Sequence, residues 1–321
     1  MNVQGLQMVE ATATSFEEQY ENGVSLVEAR MMEIVDSEVE MLRDASRHVI
    51  GAGGKRVRPR LVLLSFAALG GDDFSRVSSI AGAVELLHTA SIVHDDINDH
   101  GVLRRGRPSV NALYGRTFAL LTGDFLFTKV YELIAPYANM NTVLAEATTA
   151  LVEGETMQAV AVKQRQFTRA TYYRIIGLKT AALFAAAARM GAMAAGGSAR
   201  EAEALSNYGW RIGLAFQIID DVLDVVGSPE QLGKTSGIDM QQGRGFAVAY
   251  ETADGKPIDP QFVDPMLSIR QHVLNGDALK EARMQAERFV DEAVDEIAFL
   301  PDTPAKAALI ALAHSVVDRD L

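Results

Sequence analysis

The chain contains no cysteine. A disulfide framework, a thiolate zinc site and a thiol nucleophile are therefore excluded. The absence fits a reducing compartment, and a cytoplasmic location is expected. Basic charge is also scarce: 30 Lys and Arg stand against 42 Asp and Glu, a formal net charge of −12. Nucleic acid is not an expected partner, because a phosphate backbone requires basic patches. The first residues, MNVQGLQMVEATATSFEEQYENG, carry acids early and no apolar stretch. Neither a secretory signal nor a transit peptide is expected there. Long apolar runs are missing as well. The most apolar stretch, about 181–197, is alanine-rich, short for a bilayer and interrupted by Arg189. It reads as a helix packed tightly inside the protein, so no membrane span is expected. No Pro/Gly/Ser-rich linker, internal repeat or low-complexity tract divides the chain, and a single domain over 1–321 is expected.

What is present is helix after helix. Hydrophobic residues make up 48% of the 321, enough for a sizeable core. Residues 24–48 place Val24, Val27, Met31, Ile34, Val35, Val39 and Leu42 at helical spacing. Gly51 to Gly54 break the pattern, and Pro59 opens a new helix through 69. Gly70 to Asp73 form a turn, a long apolar helix covers 77–99, and Gly101 to Pro108 form a loop. Further helices are expected at about 110–120, 123–137, 141–165, 169–194, 199–227, 261–274, 277–297 and 303–318, with 245–259 irregular or extended. No long period-2 pattern marks a strand. The expected fold is all-α, one large helical bundle.

The chemistry lies in two aspartate motifs. Asp95 and Asp99 stand four apart and share a helix face, with Asp96 about 100° round. Taken alone, so short a motif reads as a solvated acidic helix end. The second copy, Asp220-Asp221-Val222-Leu223-Asp224, is different, because Phe216, Ile218, Ile219, Val225 and Val226 surround it. A helix apolar on nearly all sides is buried, and buried carboxylates are costly unless paired or metal-bound. Two facing motifs would repel one another unless a cation neutralised them. Carboxylate-only ligands select hard ions, and a phosphate-handling site favours Mg²⁺ over Ca²⁺. The expected ligand is a diphosphate bridged by metal to both walls of a helical cavity.

Basic groups flank both motifs. Gly53-Gly54-Lys55-Arg56-Val57-Arg58-Pro59 puts three cations beside glycines at a helix start, suited to a diphosphate. Walker A spacing is absent. Arg104-Arg105-Gly106-Arg107-Pro108 follows the first motif, an arrangement that suits metals and polyanions bound together. Lys179-Thr180 and Lys234 are single signals, each by itself more often an ordinary surface residue. Gln217 shares the face of Asp220.

In this order the pieces resemble the polyprenyl synthetase family. The matching stretches are GGKRVRP (53–59), ELLHTASIVHDDINDHGVLRRGRPSVN (85–111), GDFLF (123–127), GE-x-x-Q (154–158), KTAALF (179–184) and FQIIDDVLD continuing to LGK (216–234). The likeness spans about 50–245. It implies an all-α fold with the active site in a central cavity, a homodimer, and a Mg²⁺-dependent prenyltransferase binding three ions with its diphosphate. The implied reaction joins isopentenyl diphosphate head to tail with an allylic prenyl diphosphate. The resemblance assigns Gly54, Lys55, Arg58, His88 and Arg105 to the isopentenyl diphosphate. It assigns Asp95, Asp99 and Asp220 to the metal, with Asp96, Asp221 and Asp224 completing the two motifs. Arg104, Lys179, Lys234 and Arg244 would clasp the allylic diphosphate, and Thr180 and Gln217 would lie near the reacting carbons. Arg244 is followed by Phe246 where the family commonly has threonine, a departure that bears on closure over the site.

Product length is expected from the residues one turn below the first motif. Ala90 and Ser91 are small where short-chain members tend to carry aromatics, which implies a tunnel and a product of 25 carbons or more. A stopper on another helix, from Phe118, Phe125, Phe127 or Met157, would instead give 15 to 20 carbons. Two further readings compete: a terpene cyclase-like lyase, which needs no second diphosphate site, and a non-catalytic partner subunit, which would be expected to lose aspartates.

Overall fold

The computed structural model describes residues 15–164, 168–226 and 278–318 of the protein. In chain order these form α1 (Phe16–Ile34), α2 (Glu40–Ile50), α3 (Val57–Ala68), α4 (Ser75–Asn98), α5 (Val110–Tyr114), α6 (Arg116–Ile134), α7 (Ala138–Gln164) and α8 (Arg169–Ile176). A π-helical turn (Gly177–Ala181) leads into α9 (Ala182–Ala194), followed by α10 (Ala199–Val226), α11 (Ala278–Glu296) and α12 (Pro304–Val317). The fold is all-α. Among the described residues, strand is confined to a ribbon of β1 (Leu103–Arg104) and β2 (Arg107–Pro108), paired antiparallel with Leu103 opposite Pro108. The expected helix at 261–274 and the irregular stretch at 245–259 lie outside the described residues.

α4 is the hub. Val77, Ile80, Ala83, Val84, Leu86, Leu87, Ala90 and Val93 are all buried, so the helix carries apolar residues round most of its circumference. It packs against α1, α3, α6 and α9. α3 and α10 flank α9, whose Ala186, Ala187, Ala188 and Ala192 are buried while Arg189 faces out. Small side chains let these helices approach closely. The stretch Arg169–Ala194 is long and apolar enough to cross a bilayer by length and composition, yet 72% of its apolar window is buried inside the protein. That is the character of a core helix.

Three expected boundaries moved. The run 24–48 is two helices, because α1 stops at Ile34 and α2 begins at Glu40. Between them, Ser37 Oγ accepts from the Val39 N–H and the Ser37 carbonyl accepts from Arg43, bonds that hold a turn. The expected break between 110–120 and 123–137 falls at Gly115, where φ is 80°, and the helix runs on through Gly123. A Cβ on Gly123 would overlap the His94 ring, so this glycine serves the close crossing of α4 and α6. The expected helix 169–194 is interrupted by the π turn, which periodicity alone does not reveal.

Candidate active site

Between α3, α4, α7, the π turn and α10 lies a cavity of about 380 Å³. Its first wall is the end of α4. Asp95, Asp96 and Asp99 all line it, Asp99 as the C-cap whose N–H donates to the Asp95 carbonyl at 2.8 Å. Burial pushes the Asp95 carboxyl up to about 7; Glu155 and Asp99 push the same way and Lys179 opposes them. Asp96 is also raised by burial, with Arg104 opposing. Its Oδ1 accepts from Arg104 Nη2 at 2.6 Å and from Nε at 3.2 Å. The opposite wall is α10, where Asp220 is half-buried and Asp221 and Asp224 are buried.

The six aspartates of the two motifs thus line one cavity. Among the described residues, however, no three acidic or histidine side chains form a single metal cage. Asp95, Asp99 and Asp220 face a shared space rather than one coordination sphere. This donor set fits a hard divalent ion that takes one or two carboxylates and completes its shell with phosphate oxygens. A cation there would also relieve the crowding that raises Asp95.

Cations gather at the other end. Arg58 lies in the first turn of α3, buried, with its guanidinium 4.6 Å from the centre of the Phe184 ring. Burial lowers its pKa to about 10, so it stays charged at neutral pH, and its Nε has no hydrogen-bond partner among the described residues. A buried charged donor left over in this way suits an anionic oxygen. Burial holds His88 well below the ordinary histidine range, and Arg58, Arg105, Arg104 and Arg56 add to the effect. It is a neutral hydrogen-bonding group there.

Arg105 is delivered by the ribbon. Arg105 and Gly106, the two loop residues, have φ of 52° and 72°, the signature of a tight two-residue hairpin. The hairpin brings the guanidinium against Gly54, where a Cβ would lie 2.6 Å from Arg105 Cζ. Lys55 is exposed and is not among the lining residues.

Arg56 departs from the expectation of three cations facing a diphosphate. It is buried, donating to Glu28 at 2.9 Å, Glu85 at 3.0 Å and the Ile50 carbonyl at 2.8 Å. Its φ of 48° lets it cap α3 and turn inward, so its charge is spent holding the loop.

The π turn presents Lys179 and Thr180. Lys179 pairs with Glu155 at 2.5 Å and donates to Gln158 at 3.3 Å. Thr180 donates to Gln217 Oε1 at 2.7 Å, and Gln217 Nε2 donates to Asp221 Oδ1 at 2.7 Å. Sequence reasoning missed Glu155, Glu85 and Tyr172, whose hydroxyl donates to Asp221 Oδ2 at 2.8 Å. Glu85 and Glu155 both sit in stretches that matched by resemblance, but nothing in the spacing marks either of them or Tyr172. Lys234 and Arg244 lie outside the described residues.

Of the pair expected to set product length, Ser91 lines the cavity, whereas Ala90 is fully buried and is not among the lining residues. Adjacent residues on a helix point about 100° apart, and of this pair it is Ser91 that is turned to the cavity. Below Ser91 a second cavity of about 320 Å³ opens between α4, α6 and α7, lined mainly by Leu87, Phe127, Val130, Tyr131, Ile134 and Leu144. Phe127 lines this cavity. Phe118 is 43% exposed, and neither Phe125 nor Met157 lines either cavity.

Comparison with known proteins is consistent with this geometry. The family model for polyprenyl synthetase matches residues 39–282. The octaprenyl diphosphate synthase of Escherichia coli is 34% identical over 307 residues, covering 92% of this chain and 95% of its own. A short chain isoprenyl diphosphate synthase of Methanothermobacter thermautotrophicus is 37% identical, covering 89% and 93%. The crystal structure of a Caulobacter crescentus polyprenyl synthase, complexed with calcium and isoprenyl diphosphate, superposes with a TM-score of 0.88 at 32% identity, covering 93% and 95%. With two aspartate walls, cations gathered beside them and a family match across most of its length, the chain belongs to the polyprenyl synthetase family and is a prenyltransferase of isoprenoid biosynthesis.

Proposed function

We propose that this enzyme extends an allylic prenyl diphosphate with isopentenyl diphosphate, head to tail, to a trans product of 25 carbons or more. The observation that carries the length is the second cavity. It lies beyond Ser91, its lining is mainly apolar with Tyr131, Asn141 and Thr148 as the polar members, and Leu87 is one helical turn further down α4. An apolar tail that passes Ser91 has a mainly apolar space to enter. Relatives of both product classes match the chain, so the cavity rather than the family supports the longer product.

Mg²⁺ held by Asp95, Asp99 and Asp220, three ions in all with diphosphate bound, would neutralise the charge gathering on the departing diphosphate. Arg104 and Lys179 face the same charge. Each is paired with a carboxylate of the site, Asp96 and Glu155, and can exchange it for phosphate oxygens. Arg58, His88 and Arg105 hold the diphosphate of isopentenyl diphosphate, which fixes its double bond near the allylic carbon. The allylic C–O bond breaks and its electron pair leaves with the diphosphate. The double bond of isopentenyl diphosphate then supplies the electrons of the new C–C bond. A proton is lost to the released diphosphate, which is the base at hand. His94, next to the motif, turns instead to Leu120, Asp124 and Phe127 on α6.

A homodimer is part of this reading. α5 and α6 carry exposed Leu113, Leu120, Leu121 and Tyr131, an apolar surface suited to a second copy. Size-exclusion chromatography with light scattering checks it, and Leu121→Glu should yield monomer. The activity is tested by incubating the protein with Mg²⁺, labelled isopentenyl diphosphate and ten-, fifteen- or twenty-carbon primers, then sizing the dephosphorylated products. A ladder reaching 25 carbons or beyond supports the proposal. Termination at 15 or 20 removes the long product, and absence of any isopentenyl-dependent product removes the condensation.

A further inference from the structure

The second aspartate of the second motif has both carboxylate oxygens engaged. Asp221 Oδ2 accepts from the Tyr172 hydroxyl at 2.8 Å, and Oδ1 accepts from Gln217 Nε2 at 2.7 Å. Gln217 Oε1 in turn accepts from Thr180 Oγ1 at 2.7 Å. The chain of bonds therefore has one polarity. An ionised carboxylate accepts only, so the amide must turn its NH₂ toward Asp221 and its oxygen toward Thr180.

That orientation matters because Gln217 and Thr180 both line the cavity. A glutamine amide is nearly symmetric in shape, and its two faces are distinguished by its hydrogen bonds. With the oxygen held toward Thr180, lone pairs of both residues are available to a positive centre. With the amide reversed, N–H dipoles would point at that centre and destabilise it. Preorganised dipoles of the correct sign are a large part of catalysis where charge develops. Tyr172 is suited to fixing the arrangement. It is 1% exposed, edge-on to Tyr173 at 5.5 Å, and lies on α8, behind the carboxylate it anchors.

We propose that Asp221 and Tyr172 are positioning residues that hold Gln217 with its carbonyl oxygen, together with the Thr180 hydroxyl, directed at the carbocation formed when the allylic diphosphate leaves. The inference rests on the condensation reading above and adds to it a task for a motif carboxylate to which that reading assigns no metal. Asp220, its neighbour, lines the cavity.

Single-turnover rates of the first condensation, measured with saturating Mg²⁺ and both diphosphates, test it. Tyr172→Phe keeps the ring and removes one bond, and should lower the rate about 10-fold; Asp221→Asn, which lets the amide reverse, should lower it about 100-fold. The KM for each diphosphate and the half-saturating Mg²⁺ concentration should stay within about twofold of wild type, since no binding contact is lost. The double variant Q217E/D221N restores an oxygen facing Thr180, with the new amide donating to the new carboxylate, and should recover about 10-fold of the loss. Merely structural damage would not be repaired this way. A wild-type rate in Tyr172→Phe overturns the inference, as does a raised Mg²⁺ requirement in Asp221→Asn, which would make Asp221 a metal ligand. A double variant no faster than Asp221→Asn also overturns it. Wild-type protein that gives no isopentenyl-dependent product fails at the condensation reading itself and takes the inference with it.

Discussion

Replacing Gly54 with alanine separates the two diphosphate sites. The residue sits at φ 142°, a conformation that L side chains rarely adopt, and a Cβ there would lie 2.6 Å from Arg105 Cζ, Nη1 and Nη2. The strain should cost about 1–3 kcal/mol, a fall in Tm of roughly 2–6 °C. Folding should survive, because the clashing atoms end a flexible side chain that can swing aside. Function should suffer more. Displacing Arg105 removes a charged contact worth about 1.5–3 kcal/mol, so the KM for isopentenyl diphosphate should rise about 10- to 100-fold. The KM for the allylic substrate should hardly move, since Arg104 is tied to Asp96 at 2.6 Å and does not depend on Gly54. The assay is initial rate against isopentenyl diphosphate at saturating allylic substrate, then the converse, with a thermal melt as control. A raised allylic KM with an unchanged isopentenyl KM would refute the assignment of Arg105.

Phe127→Ala should lengthen the product and Ser91→Phe should shorten it, both read by chromatographic sizing, because the first enlarges the lower cavity and the second blocks its approach. Glu85→Gln should destabilise the protein by about 2–4 kcal/mol in urea titration, since it leaves the buried Arg56 guanidinium with Glu28 as its charged partner. Burial raises the pKa of Tyr208, whose hydroxyl donates to the Leu309 carbonyl at 2.7 Å. The folded state therefore keeps that proton while the unfolded chain loses it above about pH 10. Stability should fall as pH rises past 10, and Tyr208→Phe should remove about 1.4 kcal/mol per pH unit from that slope. Chelation of divalent metal should abolish product formation yet leave the helical circular dichroism intact, because the apolar core joins the helices without any metal cage among the described residues.

The chemistry of this protein was written locally and was legible. Two Asp-Asp-x-x-Asp motifs on apolar helices, with Lys and Arg beside them, carry their meaning in spacing of three and four residues, which a helix converts directly into a shared face. The all-α class was equally legible, since 3.6-residue periodicity runs through most of the chain. Breaks were less so. Gly115 and Gly123 are the same residue in the same composition, and only the crossing of α4 over α6 makes one a turn and the other a contact with His94.

Tertiary structure alone decided what each charge does. Arg56 and Arg58 are two residues apart in one basic run, yet Arg56 turns into Glu28 and Glu85 while Arg58 faces the cavity. Their partners lie 28 and 29 residues away from Arg56, beyond the reach of any local pattern. Tyr172 meets Asp221 across 49 residues, and the π turn that aims Lys179 and Thr180 leaves no mark in periodicity. A short-range code specifies helices and the residues on one face of them. Which faces meet, and so whether a buried cation is a strut or a hand for diphosphate, is settled only when the helices pack and each desolvated charge must find its counterpart.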